Sequence, residues 1–311
     1  MKFQNILDLE REIARLKSDL NAVILSHYYQ DSEIQDVSDF VGDSAALIKR
    51  SLSVDSEVII FCGNRFVAES IAVLSPKKRV IIPDYNAGCS LAESCRITDF
   101  NRYKIDHPEY IFITHINSEL EVKAISDFIV TSSDAEDVIL SVPEDKMILF
   151  APDKNFGCYL MNHIGREMKL LGGSCVVHNN FCERELVKIK TTNPKAKIIA
   201  HFMCNAVLLE YAEYVGSDDG LLDYISTVTG GEFIVLAEPG IIHQMHAKAP
   251  NNKFYDVPFM DSERRTCSSE CHYMRRNNVE NLHKALLGGG YEIKIPELIA
   301  PALQKVHSRF L

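Results

Sequence analysis

The chain has 311 residues, of which 46% are hydrophobic and 24% charged, and its formal net charge is −10. That balance is the one expected of a soluble globular protein of two or three domains, and with no basic tract it excludes a surface that tracks nucleic-acid phosphates. No apolar run reaches membrane-spanning length and the N-terminus has no signal-peptide core, so a cytoplasmic protein is expected.

Residues 1–20 read as an amphipathic helix with Ile6, Leu9, Ile13, Leu16 and Leu20 on one stripe. AVILSHYYQ (22–30) reads as a buried strand that runs into a polar loop at His27. A helix is expected around Glu33 to Val41, followed by the turn GDS with Ser44, the helix SAALIKRSL, the strand VIIFCG, the helix FVAESIAVL, the strand RVIIPD and the loop NAGCSLAESC. The pattern then returns. YIFITHIN ends a strand at His115 and leads to the helix SELEVKAIS, FIVTSS with Ser132, the helix AEDVILSV, MILFAPD, the helix GCYLMNHIGREM and a last strand SCVVH. KIIAHFM ends a strand at His201 and leads to the helix AVLLEYAEY, VGS with Ser217, LLDYISTV, FIVLAEP, the helix IIHQMHAKA, KFYDVP and the loop MDSERRTCSSEC. The helix VENLHKALL and a tail containing PELIAPALQKVHSRF close the chain.

Three versions of one β/α unit, roughly 85 residues each, account for this order. The units are expected at 1–104, 105–190 and 191–277, with 278–311 packing back on them. Strands alternating with helices of this length imply βαβ crossovers and parallel sheets. Their near-continuous apolar runs imply sheets covered on both faces. Ligands bind beyond the carboxyl ends of such strands. His27, His115, His201, the serines Ser44, Ser132 and Ser217, Asp84 and His178 all fall at predicted strand ends. Three units presenting those ends to one another would enclose a single polar pocket.

Nine cysteines in a reducing compartment are not expected to form disulfides, which turns attention to metal binding or catalysis. Cys89, Cys175 and Cys271 fall one to a unit, near its end. They lie too far apart for a zinc ribbon or a bacterial ferredoxin run, but they suit a site assembled between units. Three thiolates on a cubane cluster would leave one iron open as a Lewis acid. The plainer reading is that free cysteine is a small buried residue. It applies first to Cys62 in a strand and to Cys158 and Cys182 on helices, and less readily to Cys95, Cys204 and Cys267. Cys267 with Cys271, or Cys89 with Cys95, could also form a local metal or thiol–disulfide pair.

The segments VILSHYYQDSEIQDVSDFVGDS, VIIFCGNRFVAES, AGCSLAESC, EVKAISDFIVTSS, ILFAPDKNFG, SCVVHNNF, EPGIIHQM and SSECHYMRRN together resemble the quinolinate synthases, in order and over essentially the whole chain. The resemblance implies an α/β fold of three similar αβα units, with short parallel sheets around a pseudo-threefold axis and the active site at the centre. It implies a [4Fe–4S] cluster on Cys89, Cys175 and Cys271, whose open iron assists dehydration. The implied reaction condenses iminoaspartate with dihydroxyacetone phosphate, with loss of phosphate and water, to give quinolinate for NAD biosynthesis. The implied partners are those small molecules and the enzyme that supplies iminoaspartate, with no nucleic acid and no membrane.

Matching the family's motifs, His27 with Tyr28, His115 and His201 carry over as catalytic. His27, Ser44, His115, Asn117, Ser132, His178, His201, Met203 and Asp218 carry over as substrate-binding positions. Four positions depart from the pattern: His115 for Tyr, Phe202-Met203 for Pro-Glu, Asp218 for Thr and Arg65 for His. A thioether at 203 cannot hold or move a proton, and losing such a group typically costs about 10²–10⁴-fold in rate. Asp218 adds an anion where a dicarboxylate would bind. Two other readings therefore stand beside the first: a diverged paralogue with the same cluster and another substrate, and a non-catalytic iron–sulfur sensor. Residue by residue the plainer roles are helix N-caps for Ser132 and Ser217, loop orientation for His178, and surface or packing for His163, His243 and His246. Lys123 and Arg275 are candidate contacts to an anionic substrate.

Overall fold

The computed structural model describes residues 6–260 and 266–308. Residues 1–5 of the expected lead-in helix, the side chain of Ile6, residues 261–265 of the loop MDSERRTCSSEC and the last three residues of the tail lie outside the described part.

The first unit runs α1 (Ile6–Asp19), β1 (Ala22–His27), α2 (Ser32–Val37), β2 (Phe40–Gly42), α3 (Ser44–Ser53), β3 (Val58–Cys62), α4 (Arg65–Leu74), β4 (Arg79–Ile82) and α5 (Ser90–Ser94). The second runs α6 (Ile97–Asp106), β5 (Ile111–His115), α7 (Leu120–Ile125), β6 (Phe128–Val130), α8 (Ala135–Ser141), β7 (Ile148–Ala151), α9 (Lys154–Ile164), β8 (Lys169–Leu170) and α10 (Val176–Asn179). The third runs α11 (Glu183–Thr192), β9 (Lys197–His201), α12 (Ala206–Leu209), β10 (Tyr214–Gly216), α13 (Asp218–Ser226), β11 (Glu232–Leu236), α14 (Ile241–Lys248) and β12 (Lys253–Asp256). A short antiparallel pair, β13 (Phe259–Met260) with β14 (Thr266–Cys267), follows. The chain closes with α15 (Val279–Lys284), β15 (Tyr291–Glu292) and α16 (Ala300–His307).

The three sheets share one strand order: β2-β1-β3-β4, β6-β5-β7-β8 and β10-β9-β11-β12. All of these pairings are parallel. β15 adds an antiparallel edge beside β4. The repeat is therefore structural as well as compositional, and the fold is three αβα units around a pseudo-threefold axis. The apolar strands do as their composition requires: β3 and β7 are buried along their whole length. Leu9, Ile13 and Leu16 of α1 pack in one cluster with Ile24 and Ile60 of the first sheet, whereas Leu20, past the helix end, is exposed.

Four expectations change. The expected helix at Glu33 to Val41 stops at Val37, because Asp39 pulls the chain back beside β1: its N–H donates to the Ile24 carbonyl and its carboxylate accepts from the Ile24 N–H. AVLLEYAEY likewise splits into α12 and β10, with the Glu213 N–H on the Ile198 carbonyl. SCVVH is the helix α10 and not a strand; β8 is the fourth strand of the second sheet. The chain leaves β8 through Gly172, which has φ 107°, and a Cβ there would lie 2.3 Å from the Pro152 carbonyl oxygen. Two unpredicted helices, α6 and α11, lead into β5 and β9 as α1 leads into β1. The expected unit boundaries at 104/105 and 190/191 fall inside these helices.

Candidate active site

His27, His115 and His201 are the last residues of β1, β5 and β9. Each is held in one way. The Nδ1 of His27 accepts from the Tyr29 N–H at 3.2 Å, that of His115 from the Asn117 N–H at 3.2 Å, and that of His201 from the Met203 N–H at 3.3 Å. An Nδ1 that accepts carries no proton, so each neutral ring bears its hydrogen on Nε2. Burial pushes His27 and His115 down to about 3 and His201 well down too. Three neutral imidazole N–H donors thus line one cavity between the units.

The neighbouring strand of each sheet supplies a second ring. Gly42, Val130 and Gly216 stand opposite His27, His115 and His201. Two residues further on come Ser44, Ser132 and Asp218, and all three line the cavity. Asp218, and not Ser217, is therefore the third-unit counterpart of the two serines. Ser217 is the N-cap of α13, accepting from the Gly220 N–H at 3.2 Å. Ser132 caps no helix; its Oγ lies 3.5 Å from His115 Nε2. The cap of α3 is Asp43, which accepts from the Ala46 N–H at 2.8 Å, and burial raises its carboxyl to about 6.

Residues two places beyond each strand-end histidine also face in: Tyr29, Asn117 and Met203. The Tyr29 hydroxyl donates to Asp218 Oδ1 at 3.0 Å and lies 3.5 Å from His178 Nε2. The His178 ring stacks on His201 at 4.4 Å, and its Nδ1 has no partner although the residue is buried.

Cys89, Cys175 and Cys271 line the same cavity. Cys89 and Cys175 are the N-caps of α5 and α10, and Cys271 precedes the turn at Met274–Arg276. Burial, with each thiol's neighbours in the trio adding to it, pushes all three up to about 12. Backbone amides two and three residues on oppose this at every one: Leu91 and Ala92 at Cys89, Val177 and His178 at Cys175, Tyr273 and Met274 at Cys271. The same two-amide arrangement recurs in all three units and partly offsets burial at each thiol. Buried Glu238 fixes the Cys271 loop, accepting from the Cys271 N–H at 3.0 Å and the Gly240 N–H at 2.6 Å. Among the described residues no three metal-ligating side chains converge tightly enough for a single ion.

The family model for quinolinate synthetase A protein matches residues 11–311. The chain belongs to the quinolinate synthase family. The quinolinate synthase of Synechocystis sp. is 45% identical over 304 residues, covering 98% of this chain and 95% of that protein. That of Prochlorococcus marinus (strain MIT 9303) is 48% identical over 286 residues, covering 92% and 85%. That of Nostoc sp. is 43% identical over 305 residues, covering 98% and 93%. Membership of the quinolinate synthase family makes the chain an enzyme and sets aside the sensor reading. Matches of this identity over nearly the whole length do not favour the diverged paralogue. No helix among the described residues is long and apolar enough to cross a membrane.

Of the residues carried over from the family's motifs, Tyr28 lies elsewhere. It does not line the cavity; its hydroxyl donates to Asp219 at 2.7 Å, and Tyr29 takes the place expected of it. The signal was in the repeat, since Asn117 and Met203, like Tyr29, stand two residues beyond their histidines in the turn that follows each strand. The other expected positions, Ser44, Asn117, Ser132, His178, Met203 and Asp218, share the cavity with the three histidines and three cysteines. Lys123 and Arg275 are not at it. Lys123 is fully buried, donating to the Phe66 carbonyl and the Ser70 hydroxyl, and Arg275 pairs with Asp31 and Glu238. Asp84 accepts from the Asn86 N–H in its own turn. His163 and His243 pair with Glu136 and Asp36, and His246 packs on Phe254. All nine cysteines are free: Cys62, Cys95 and Cys204 are buried, Cys182 is half-buried, and Cys158 and Cys267 are exposed.

Proposed function

We propose that this chain is a quinolinate synthase that condenses iminoaspartate with dihydroxyacetone phosphate and carries a [4Fe–4S] cluster on Cys89, Cys175 and Cys271. The observation that carries the reading is that three amide-braced thiols, one from each unit, with Cys89 and Cys271 buried and Cys175 half-buried, line the one cavity ringed by His27, His115 and His201. When bound, the cluster supplies an iron without a protein ligand, a Lewis acid for a substrate oxygen.

The remaining groups bind and orient. Both substrates are anions, and the cavity answers them with hydrogen-bond donors and not with cations. The Nε2–H groups of His27, His115 and His201, the hydroxyls of Ser44 and Ser132 and the Asn117 amide point donors at carboxylate and phosphate oxygens without bringing a charge that would need its own desolvation. His178, stacked on His201 with a spare nitrogen, is a further contact. Met203 contributes shape and dryness. The small-molecule partners follow from the reaction.

The test is quinolinate formation by protein purified and reconstituted without oxygen, with iron and sulfide measured on the same sample. Quinolinate that vanishes together with cluster iron in Cys89→Ala and Cys175→Ala is the expected result. A full cluster without quinolinate would sink the substrate assignment, and an active protein free of iron would sink the cluster.

A further inference from the structure

The pseudo-threefold register exposes one asymmetry that bears on chemistry. Two residues beyond β2 and β6 the units place hydroxyls, Ser44 and Ser132; beyond β10 the third places a carboxyl, Asp218. Two residues beyond the strand-end histidines the second and third units place Asn117 and Met203, neither of which ionises; the first places Tyr29. These two odd members find each other across the cavity, Tyr29 Oη on Asp218 Oδ1 at 3.0 Å. We propose that Asp218 is the acid–base residue of this site, passing a proton to and from substrate while the Tyr29 hydroxyl holds its carboxyl in place.

The inference rests on the quinolinate synthase reading for its substrates. Geometry and charge both support it. The three strand-end imidazoles are locked neutral by backbone N–H groups at Nδ1 and are poor acids. Asp218 is 5% exposed. Asp43 at the start of α3, Asp219 beside it, and Glu238 beyond β11 face it with like charge. Tyr28 and Tyr29 from the loop after β1, and His178 behind Tyr29, complete its surroundings. Lys49 acts on Asp43. Burial first, then Asp43 and Asp219, raise the Asp218 carboxyl well above its ordinary range, while the Tyr29 hydroxyl works the other way. A carboxyl whose proton is held more tightly by burial and like charge is suited to protonate a leaving hydroxyl.

In each loss of water the carboxyl O–H bond breaks as an O–H bond forms on the departing hydroxyl. Water leaves with the C–O electron pair. The carboxylate then takes the proton from the adjacent carbon, whose C–H pair becomes the new double bond. Asp218 ends as it began, and no oxidant or reductant is needed.

The test compares wild type, Asp218→Asn and Tyr29→Phe, all reconstituted without oxygen and checked for fold and iron. Asp218→Asn keeps an acceptor for Tyr29 and is expected to lower kcat by about 10²–10⁴-fold with little change in KM, and to lose the fall in rate on the alkaline side. Tyr29→Phe removes a donor that favours the ionised carboxylate, so its alkaline fall should move to higher pH. Asp218→Asn turning over within about threefold of wild type, or with the same alkaline fall, would overturn the proposal. A second reading does not depend on turnover: infrared difference spectra at neutral pH should show a protonated-carboxyl C=O band in wild type that Asp218→Asn lacks. Absence of that band overturns the proposal whether or not quinolinate forms. A wild type with the band but no quinolinate overturns the substrate assignment alone.

Discussion

Two adjacent tyrosines show how little sequence distance means at the residue scale. Tyr28 and Tyr29 are both buried and both donate to an aspartate of α13, yet only Tyr29 lines the cavity. Tyr28→Phe should therefore leave turnover within about twofold and cost about 1–2 kcal/mol of stability for the lost bond to Asp219. Tyr29→Phe should lower turnover by roughly 10²-fold. Steady-state rates with urea unfolding of both variants check this, and equal rates would remove the distinction.

At the scale of elements, α16 gives a pH dependence with a definite sign. It packs Leu303 against Val73 of α4 and Leu120 of α7. Its last residue, His307, is fully buried, with Nδ1 donating to the Leu303 carbonyl at 2.7 Å and Nε2 without a partner. Burial, with Lys123 adding to it, lowers His307 from 6.5 to about 4. As pH falls through 6.5 the unfolded chain takes up this proton and the folded one does not, so stability present above 6.5 is lost progressively down to 4. Between about pH 7.5 and 5.5 wild type should lose about 1.4 kcal/mol more than His307→Leu. Urea unfolding of both proteins at the two pH values measures the difference; equal losses would mean the imidazole is protonated in place.

The whole molecule holds its three units together with polar as well as apolar contacts. Lys123 of α7, in the second unit, is fully buried against α4 of the first, where it meets the Phe66 carbonyl at 2.7 Å and the Ser70 hydroxyl at 2.9 Å. Burial lowers its ammonium while nearby Glu69, itself buried, holds it up. Lys123→Met strips Glu69 of this cation, leaving Arg65 as its partner. The expected cost is about 1–3 kcal/mol, chiefly for the lost hydrogen bonds to the Phe66 carbonyl and the Ser70 hydroxyl, read as a lower unfolding midpoint. A loss under about 1 kcal/mol would mean the pair is solvated.

The sequence by itself determined the periodic part of this protein: three β/α units, their apolar strands, the histidine closing the first strand of each, and a comparably placed cysteine near the end of each unit. Those features repeat because each unit solves one packing problem, and repetition is visible in a string of letters. Tertiary structure alone decided that Tyr29 and not Tyr28 faces the site, that Asp218 and not Ser217 answers Ser44 and Ser132, and that Lys123 joins two units. Strand register and helix start set those outcomes, and a shift of one residue turns a side chain to the opposite face. The helical SCVVH has the same origin: its valines suit a strand, but pairing with the second sheet stops at the Asp153–Gly173 bridge just after the turn at Gly172.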